Sequence, residues 1–399
     1  MQSHRIVLVS GGIGTGGATT FLLNLGGELV RRQVPVLVIS LEHDNPHASD
    51  FAESHIPLHV EDERRNIFED RILSALRAIR GFEPTAVVAC LGPVSYEILR
   101  YVPPGVTRLG LIQSDFPENY PPFEPYISFV DAMAGVSRQI QANLRAHPIF
   151  GRVPSYFLHC GVQLPQNQNG SMRNRHDPIR ILYLGRLCRP QKRVHLFPHI
   201  LGELNAAGIP FYWTIAGDGP ERAWLEAKMT SVSAAVRFLG AINYQDVPSL
   251  LDSHDILLLA SDAEGLPVSL LEAMSHGLVP VVSDLESGVR ELVDINSGIL
   301  VPVDDVNGYA RAIVHLHKHG DELEAKSIAA RERVRVGFSV EVMADRWLEL
   351  LTRAPSRRIE WPSKFRVRGP IMASQWWYAR PVRPLRRAAK IMSERLLPH

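Results

Sequence analysis

The stretch Ile256–Met274, ILLLASDAEGLPVSLLEAM, decides how the rest of the chain is read. Its opening run, Ile256–Ala260, is apolar throughout instead of alternating, as expected of a strand covered on both faces. A polar turn follows, Ser261-Asp262-Ala263-Glu264-Gly265, and Pro267 then stands at a natural first helical position. Val268–Ser275 has helical spacing. A strand whose end opens a helix is half of a βαβ unit.

The same grammar recurs on both sides. Apolar strands are expected at 5–10, 35–41, 85–90, 108–113, 132–135 and 155–159. A second series is expected at 179–185, 212–216, 236–239, 256–260 and 279–283. Helical periodicity falls at Thr19–Arg32, Glu69–Arg80, Arg138–Arg145, Val268–Ser275 and Ser339–Leu351. Alternation of this kind predicts right-handed βαβ units and an α/β fold. The polar stretch 164–178 reads as a linker between an N-terminal domain over 1–163 and a C-terminal domain over 179–353. The expected architecture is two doubly wound, Rossmann-like domains facing across a cleft, with a basic aromatic tail at 354–399.

Composition narrows the class. The 399 residues are 45% hydrophobic and 21% charged, which excludes disordered, collagen-like and coiled-coil chains. No apolar run reaches the ~18 residues of a membrane-spanning helix, and the start MQSHRIVLVSGG is too short in apolar residues for a signal peptide. The scattered Cys90, Cys160 and Cys188 fit a reducing cytoplasm, so a cytoplasmic protein is expected. The net charge of +1 hides an asymmetry: residues 353–399 hold twelve Lys and Arg against two acids. Arginines there mix with Trp361, Phe365, Trp376, Trp377 and Tyr378, and Leu385, Ala389, Met392 and Leu396 can form one helical stripe. An anionic membrane surface is the partner this suggests, docking on the acidic body the plain alternative, and nucleic acid is disfavoured because the basic density is confined to the tail.

Four segments can carry chemistry. Gly12, Gly14 and Gly17 fit G-x-G-x-x-G after the first strand, and Glu42 ends the next. That suits a phosphate at a helix N-terminus, as in a dinucleotide-dependent oxidoreductase, although any tight turn favours glycine. Arg186 and Lys192 follow the strand at 179–185 and could neutralise a diphosphate or form a solvated basic turn. Ala216-Gly217-Asp218-Gly219-Pro220 is another strand-end turn, explained without a ligand. Around Leu266–Val268, free N–H groups suit an anionic phosphate, with Glu264 and Glu272 near enough to accept sugar hydroxyls. Each acid is otherwise an ordinary surface glutamate.

Taken together, these motifs resemble glycosyltransferase family 4, the retaining nucleotide-sugar enzymes of GT-B fold. The resemblance rests on Gly185-Arg186-Leu187 with Lys192, AGDGP at 216–220, FLG at 238–240, EGLPVSLLEAM at 264–274, then Gly288, Glu291 and GILVPVDD at 298–305. In the first domain Gly16, Gly17 and VSRQIQANL at 136–144 are similar to the family's segments. The resemblance implies a glycosyl transfer from a nucleoside diphosphate sugar to an acceptor hydroxyl, with a lipid-linked or envelope glycan as one acceptor class. It implies that Arg186 and Lys192 hold the diphosphate and Glu272 the ribose. Glu264 with the backbone of Gly265, Leu266 and Pro267 would hold the donor sugar, Gly217 would line the site, and Gly16 and Gly17 would approach the diphosphate. Two departures stand out: Asp115 lies where many members have a histidine near the donor sugar and would take its catalytic place by hydrogen-bonding that sugar, and Arg290 lies where proline is usual before the acid, which would change the donor's surroundings. No DxD stands at a metal-binding position, so neither a metal nor a cofactor is expected, positive side chains and helix amides taking that role. The competing functions are a nicotinamide oxidoreductase, a non-catalytic sugar-nucleotide binding protein, and a related phosphorylase or epimerase.

Overall fold

The computed structural model describes residues 4–42, 45–60, 67–116, 118, 120–165, 177–303, 305–353 and 361–367. The centre of the expected linker and most of the tail, its apolar stripe included, lie outside them.

Two compact units divide the chain. The first comprises residues 1–136, 140–158 and 344 onward; the second comprises 137–139 and 159–343. In chain order the first unit begins β1 (Ile6–Ser10), α1 (Gly17–Arg31), β2 (Val36–Ser40), α2 (Ala48–Glu53), β3 (Leu58–Val60), α3 (Phe68–Phe82), β4 (Ala86–Leu91) and α4 (Gly92–Leu99). It continues through β5 (Thr107–Ile112), a 3-10 segment at Pro121–Phe129, β6 (Ala132–Gly135), α5 (Arg138–Ala146) and β7 (Ser155–Phe157). Its seven parallel strands lie in the order β3-β2-β1-β4-β5-β6-β7. Val7, Leu8 and Val9 of β1 are fully buried, as are Val87 and Val88 of β4, because helices cover both faces of a parallel sheet.

The second unit runs β8 (Ile179–Leu184), α6 (Phe197–Ala206), β9 (Phe211–Ala216), α7 (Arg222–Thr230), β10 (Val236–Gly240), α8 (Val247–Asp252), β11 (Ile256–Leu259) and α9 (Val268–Ser275). Then come β12 (Val279–Ser283), α10 (Gly288–Leu292), β13 (Ile299–Val301), α11 (Val306–Lys318), α12 (Gly320–Gly337) and α13 (Val340–Arg353). Its six parallel strands are ordered β10-β9-β8-β11-β12-β13. Both sheets thus grow outward from their first strand in one direction and then in the other. The reversal leaves a crevice beyond the strand ends, between β1 and β4 in one sheet and between β8 and β11 in the other, where ligands of such sheets bind.

The structure therefore has the two Rossmann-like units read from the sequence. It also redraws the expected boundaries: residues 137–139 and 159–163 go with the second unit, and one helix changes sides. The expected helix at 339–351 starts in the second unit, but from Ala344 onward α13 belongs to the first. Its amphipathic face explains why. Trp347 is 1% exposed, with its ring 6.0 Å from that of Phe21 in α1, and Asp345 accepts a hydrogen bond from Arg32 at 2.5 Å. Burying an indole of this size outweighs continuity of sequence.

Among the described residues no helix is long and apolar enough to cross a membrane.

Candidate active site

The second crevice gathers most of the residues singled out in the sequence. The chain leaves β8 through Gly185, whose N–H donates to the Ala216 carbonyl at 3.0 Å. Arg186 comes next, exposed and with no side-chain hydrogen-bond or ion-pair partner among the described residues, while its own carbonyl accepts the buried Tyr183 hydroxyl at 2.7 Å. The backbone is thus fixed and the guanidinium left available. Across the switch point, Lys192 Nζ donates to Glu264 Oε1 at 2.5 Å, with Lys192 and Glu264 side chains 13% and 7% exposed. Ser261 Oγ donates to the same oxygen at 2.7 Å. Glu264 Oε2 is left open to a further donor.

The loops after β8 and β11 are laced together beside this pair. The Asp262 N–H donates to the Gln191 carbonyl at 2.8 Å, and Gln191 Nε2 reaches the Ala263 carbonyl at 3.3 Å. Arg193 donates to the Val303 carbonyl at 2.8 Å and stands 3.6 Å from Asp262. Such crosslinks hold the two charged side chains in place without a ligand, the preorganisation a charged transition state requires.

Pro267 takes the capping position just before α9, with φ −66° and ψ 115°, one residue earlier than the sequence suggested. The Leu270 and Leu271 N–H groups both return to the Pro267 carbonyl, at 3.2 Å each. Among the described residues the preceding N–H groups of Val268 and Ser269 have no acceptor, so the positive end of the helix dipole is open there. Gly265 is tied from the far side: its carbonyl accepts the Gly288 N–H at 2.8 Å, and a Cβ at Gly288 would lie 2.4 Å from that oxygen. The loop leading to Gly288 is held in turn by Arg290. Its guanidinium forks onto both Asp284 oxygens, at 2.6 and 3.1 Å, and reaches Glu286 at 3.2 Å. These ion pairs tie Arg290 to the two acids at the start of the loop that leads into α10.

Glu272 projects from α9. Its carboxylate is partly exposed yet hemmed in by protein atoms and has no hydrogen-bond partner among the described residues, and this desolvation pushes its pKa from 4.5 up to about 8. An unpartnered carboxylate in such a niche is costly unless a ligand supplies donors. Gly217 is explained by packing alone: its φ is +134°, and a Cβ there would fall 1.9 Å from the Gly185 carbonyl oxygen.

In the first unit Gly16 precedes α1 with φ +145°, a conformation open to glycine, and Gly17 is the first residue of the helix. Asp115 lies beyond β5, held by Tyr120 and Asn143, which both donate to Oδ1 at 2.8 Å. Burial and the neighbouring carboxylate push the Tyr120 hydroxyl pKa far up, so it stays a donor to Asp115. Ser261, Gln191, Tyr120 and Tyr183 reach these charged residues and their loops through the fold, with no motif of their own. Ser261 opens the polar turn after β11 and Gln191 precedes Lys192, but neither residue type announces such a partnership. Among the described residues no group of three His, Cys, Asp or Glu side chains could hold a metal ion.

This combination of fold and crevice defines a class: two parallel-sheet Rossmann-like units, as in glycosyltransferases of GT-B fold. HepE of Anabaena, solved with UDP and glucose, superimposes with a TM-score of 0.69 over 88% of this chain and 100% of its own, at 16% identity, a likeness of fold. Residues 178–319 match the family described as Glycosyl transferases group 1, and the second unit carries a domain of that family. The amylovoran biosynthesis glycosyltransferase AmsK of Erwinia amylovora is 32% identical over 199 residues, 47% of this chain and 48% of that one. A GDP-mannose-dependent monoacylated alpha-(1-6)-phosphatidylinositol monomannoside mannosyltransferase of Corynebacterium glutamicum is 26% identical over 246 residues, 57% of this chain and 63% of its own. The chain spans about half the length of the first curated relatives it matches. The oxidoreductase alternative is not favoured, since the family match falls on the half of the chain that it leaves without a task.

Proposed function

We propose that this protein transfers a glycosyl group from a nucleoside diphosphate sugar to a hydroxyl of a glycan acceptor, with retention at the anomeric carbon. The observation that carries the reading is the Lys192–Glu264 pair, which bridges the strand ends at the switch point beside the open start of α9. A diphosphate is the anion for which a free arginine, a lysine with two unused N–H bonds and two bare helix amides are suited. Polysaccharide-building relatives such as AmsK support the glycan class of acceptor.

In this reading the bond from the anomeric carbon to the diphosphate oxygen lengthens first, and negative charge collects on the leaving group. Arg186, Lys192 and the Val268 and Ser269 amides face that charge, which lowers the barrier because they need no rearrangement. Glu264 Oε2 accepts a donor-sugar hydroxyl while Oε1 stays with Lys192 and Ser261. The same carboxylate thereby aligns the sugar and fixes the lysine. Glu272 accepts the ribose hydroxyls, which satisfy its bare carboxylate. The acceptor proton passes to the departing diphosphate oxygen, so no protein base is assigned. Neither a metal nor a cofactor takes part in this proposal.

The test is incubation of the purified chain with UDP- and GDP-sugars, followed by mass and proton NMR analysis of donor turnover. Turnover that yields an axial glycoside from an axial donor is the expected result. Inversion would refute retention. Failure of every nucleotide sugar to bind or turn over, with the fold intact, would refute the whole reading.

A further inference from the structure

Away from the crevice, the first unit carries a second feature with a ligand's chemistry. A cavity of about 610 Å³ lies between α3 and the segment 361–367, lined by Leu73, Arg77, Arg80, Gly81, Glu83, Ser363, Lys364 and Phe365. Three of those side chains are cations and one is an acid. Arg80 fastens the two walls together, donating to the carbonyls of Pro362 and Ser363 at 3.3 and 3.4 Å. Trp361 and Phe365 brace the second wall edge to face, with ring centroids 5.9 Å apart. Arg77 and Lys364 are exposed and, among the described residues, have no hydrogen-bond or ion-pair partner. With Arg80 beside them, these cations on opposite walls leave the groove with more positive than negative charge, since Glu83 is the one acid in its lining, and such a field favours an anion.

We propose that this groove binds a phosphate ester presented by an anionic lipid surface. The planar fork of Arg77 and the ammonium of Lys364 match phosphate oxygens, and Phe365 and Leu73 offer apolar area beside them. The groove is open, so a free anion is held weakly there, whereas a lipid surface presents many phosphates at once. Its second wall also leads directly into residues 368–399, whose sequence adds seven Arg and Lys against one Glu, with Trp376 and Trp377 among them. Such a mixture of cations and aromatic side chains favours a headgroup layer over bulk water. The proposal stands apart from the transferase reading, since none of these residues belongs to the crevice.

The test is co-sedimentation of the full chain with phosphatidylglycerol–phosphatidylcholine vesicles and with pure phosphatidylcholine vesicles, alongside titration with glycerol phosphate. The double variant Arg77→Glu, Lys364→Glu is compared with a control of equal charge change, Arg237→Glu, Lys318→Glu, at exposed sites elsewhere. The groove variant is expected to lose partitioning onto the anionic vesicles by on the order of 10²-fold, with the control far less affected and both melting as the parent does. Equal losses in the two variants would make binding a matter of net charge and overturn the groove. Undiminished binding by the groove variant would overturn it as well. Glycerol phosphate binding without vesicle binding would overturn the lipid surface as its source.

Discussion

Replacing Glu272 with glutamine should make the protein both more stable and worse at binding its donor. In the ligand-free chain the carboxyl pKa is raised from 4.5 to about 8 by desolvation, with no partner to offset it. Below pH 4.5 the folded and unfolded chains are both protonated at this position, so parent and variant coincide in the contribution it makes. Between 4.5 and 8 the unfolded chain sheds the proton that the folded chain keeps, and the parent loses stability as pH rises. Above 8 the loss is complete. At about 1.4 kcal/mol for each pH unit the full window corresponds to ~5 kcal/mol; the partial exposure of the side chain brings this to ~2 kcal/mol. Glu272→Gln should therefore raise the melting temperature of the second unit by roughly 4–8 °C at pH 8 and by little near pH 4.5. Donor affinity moves the other way. Hydroxyls donate to the ionised carboxylate, so donor binding releases a proton, the parent binds more tightly as pH rises toward 8, and the variant loses that pH dependence. Loss of a hydrogen bond to a charged group corresponds to about 10–100-fold in Kd. Scanning calorimetry across pH and isothermal titration with UDP- and GDP-sugars measure both arms. A variant that melts below the parent at pH 8, or binds donor equally well with the same pH profile, would show that Glu272 already has its partner within the protein.

Three further expectations follow from the same geometry. Lys192→Ala should lower turnover by on the order of 10²–10³ in a folded protein, with donor binding less affected, as read by single-turnover kinetics; near-parent turnover would remove Lys192 from the mechanism. Gly217→Ala should destabilise the second unit by on the order of 3 kcal/mol in urea unfolding, because a Cβ cannot sit 1.9 Å from the Gly185 carbonyl oxygen at φ +134°. Trp347→Ala should cost about 3–5 kcal/mol and register in the first unit, although Trp347 follows the second unit in sequence. Hydrogen exchange resolved by unit distinguishes that outcome from a loss confined to the second.

Much of this fold is written in short apolar runs that need no partner to be recognised. Both Val279–Ser283 and Ala132–Gly135 are strands with the bounds their composition suggests. The two strands not foreseen, Leu58–Val60 and Ile299–Val301, are three residues long and sit at sheet edges, too short to display a period. The crevice was legible as residue types at strand ends, since glycine, proline and charge in that order have local causes. Its connections were not: Lys192 and Glu264 lie 72 residues apart, and nothing local to either motif says that the lysine meant for phosphate rests on the glutamate meant for sugar. The groove beside α3 was hidden for the same reason. Arg77 and Lys364 belong to stretches that read separately as an ordinary helix face and part of a basic tail.

The route of α13 has a consequence for how the protein is made. Phe21 emerges early from the ribosome, but Trp347, which covers it, emerges more than three hundred residues later. Every strand of the second unit has been synthesised by then. The nascent first unit must wait with a gap in its interior while its neighbour completes itself, an interval in which bare apolar surface invites chaperones or aggregation. Cutting the gene after Leu158 would make that interval permanent, so a soluble isolated first unit calls for residues 344–353 to be spliced back onto it.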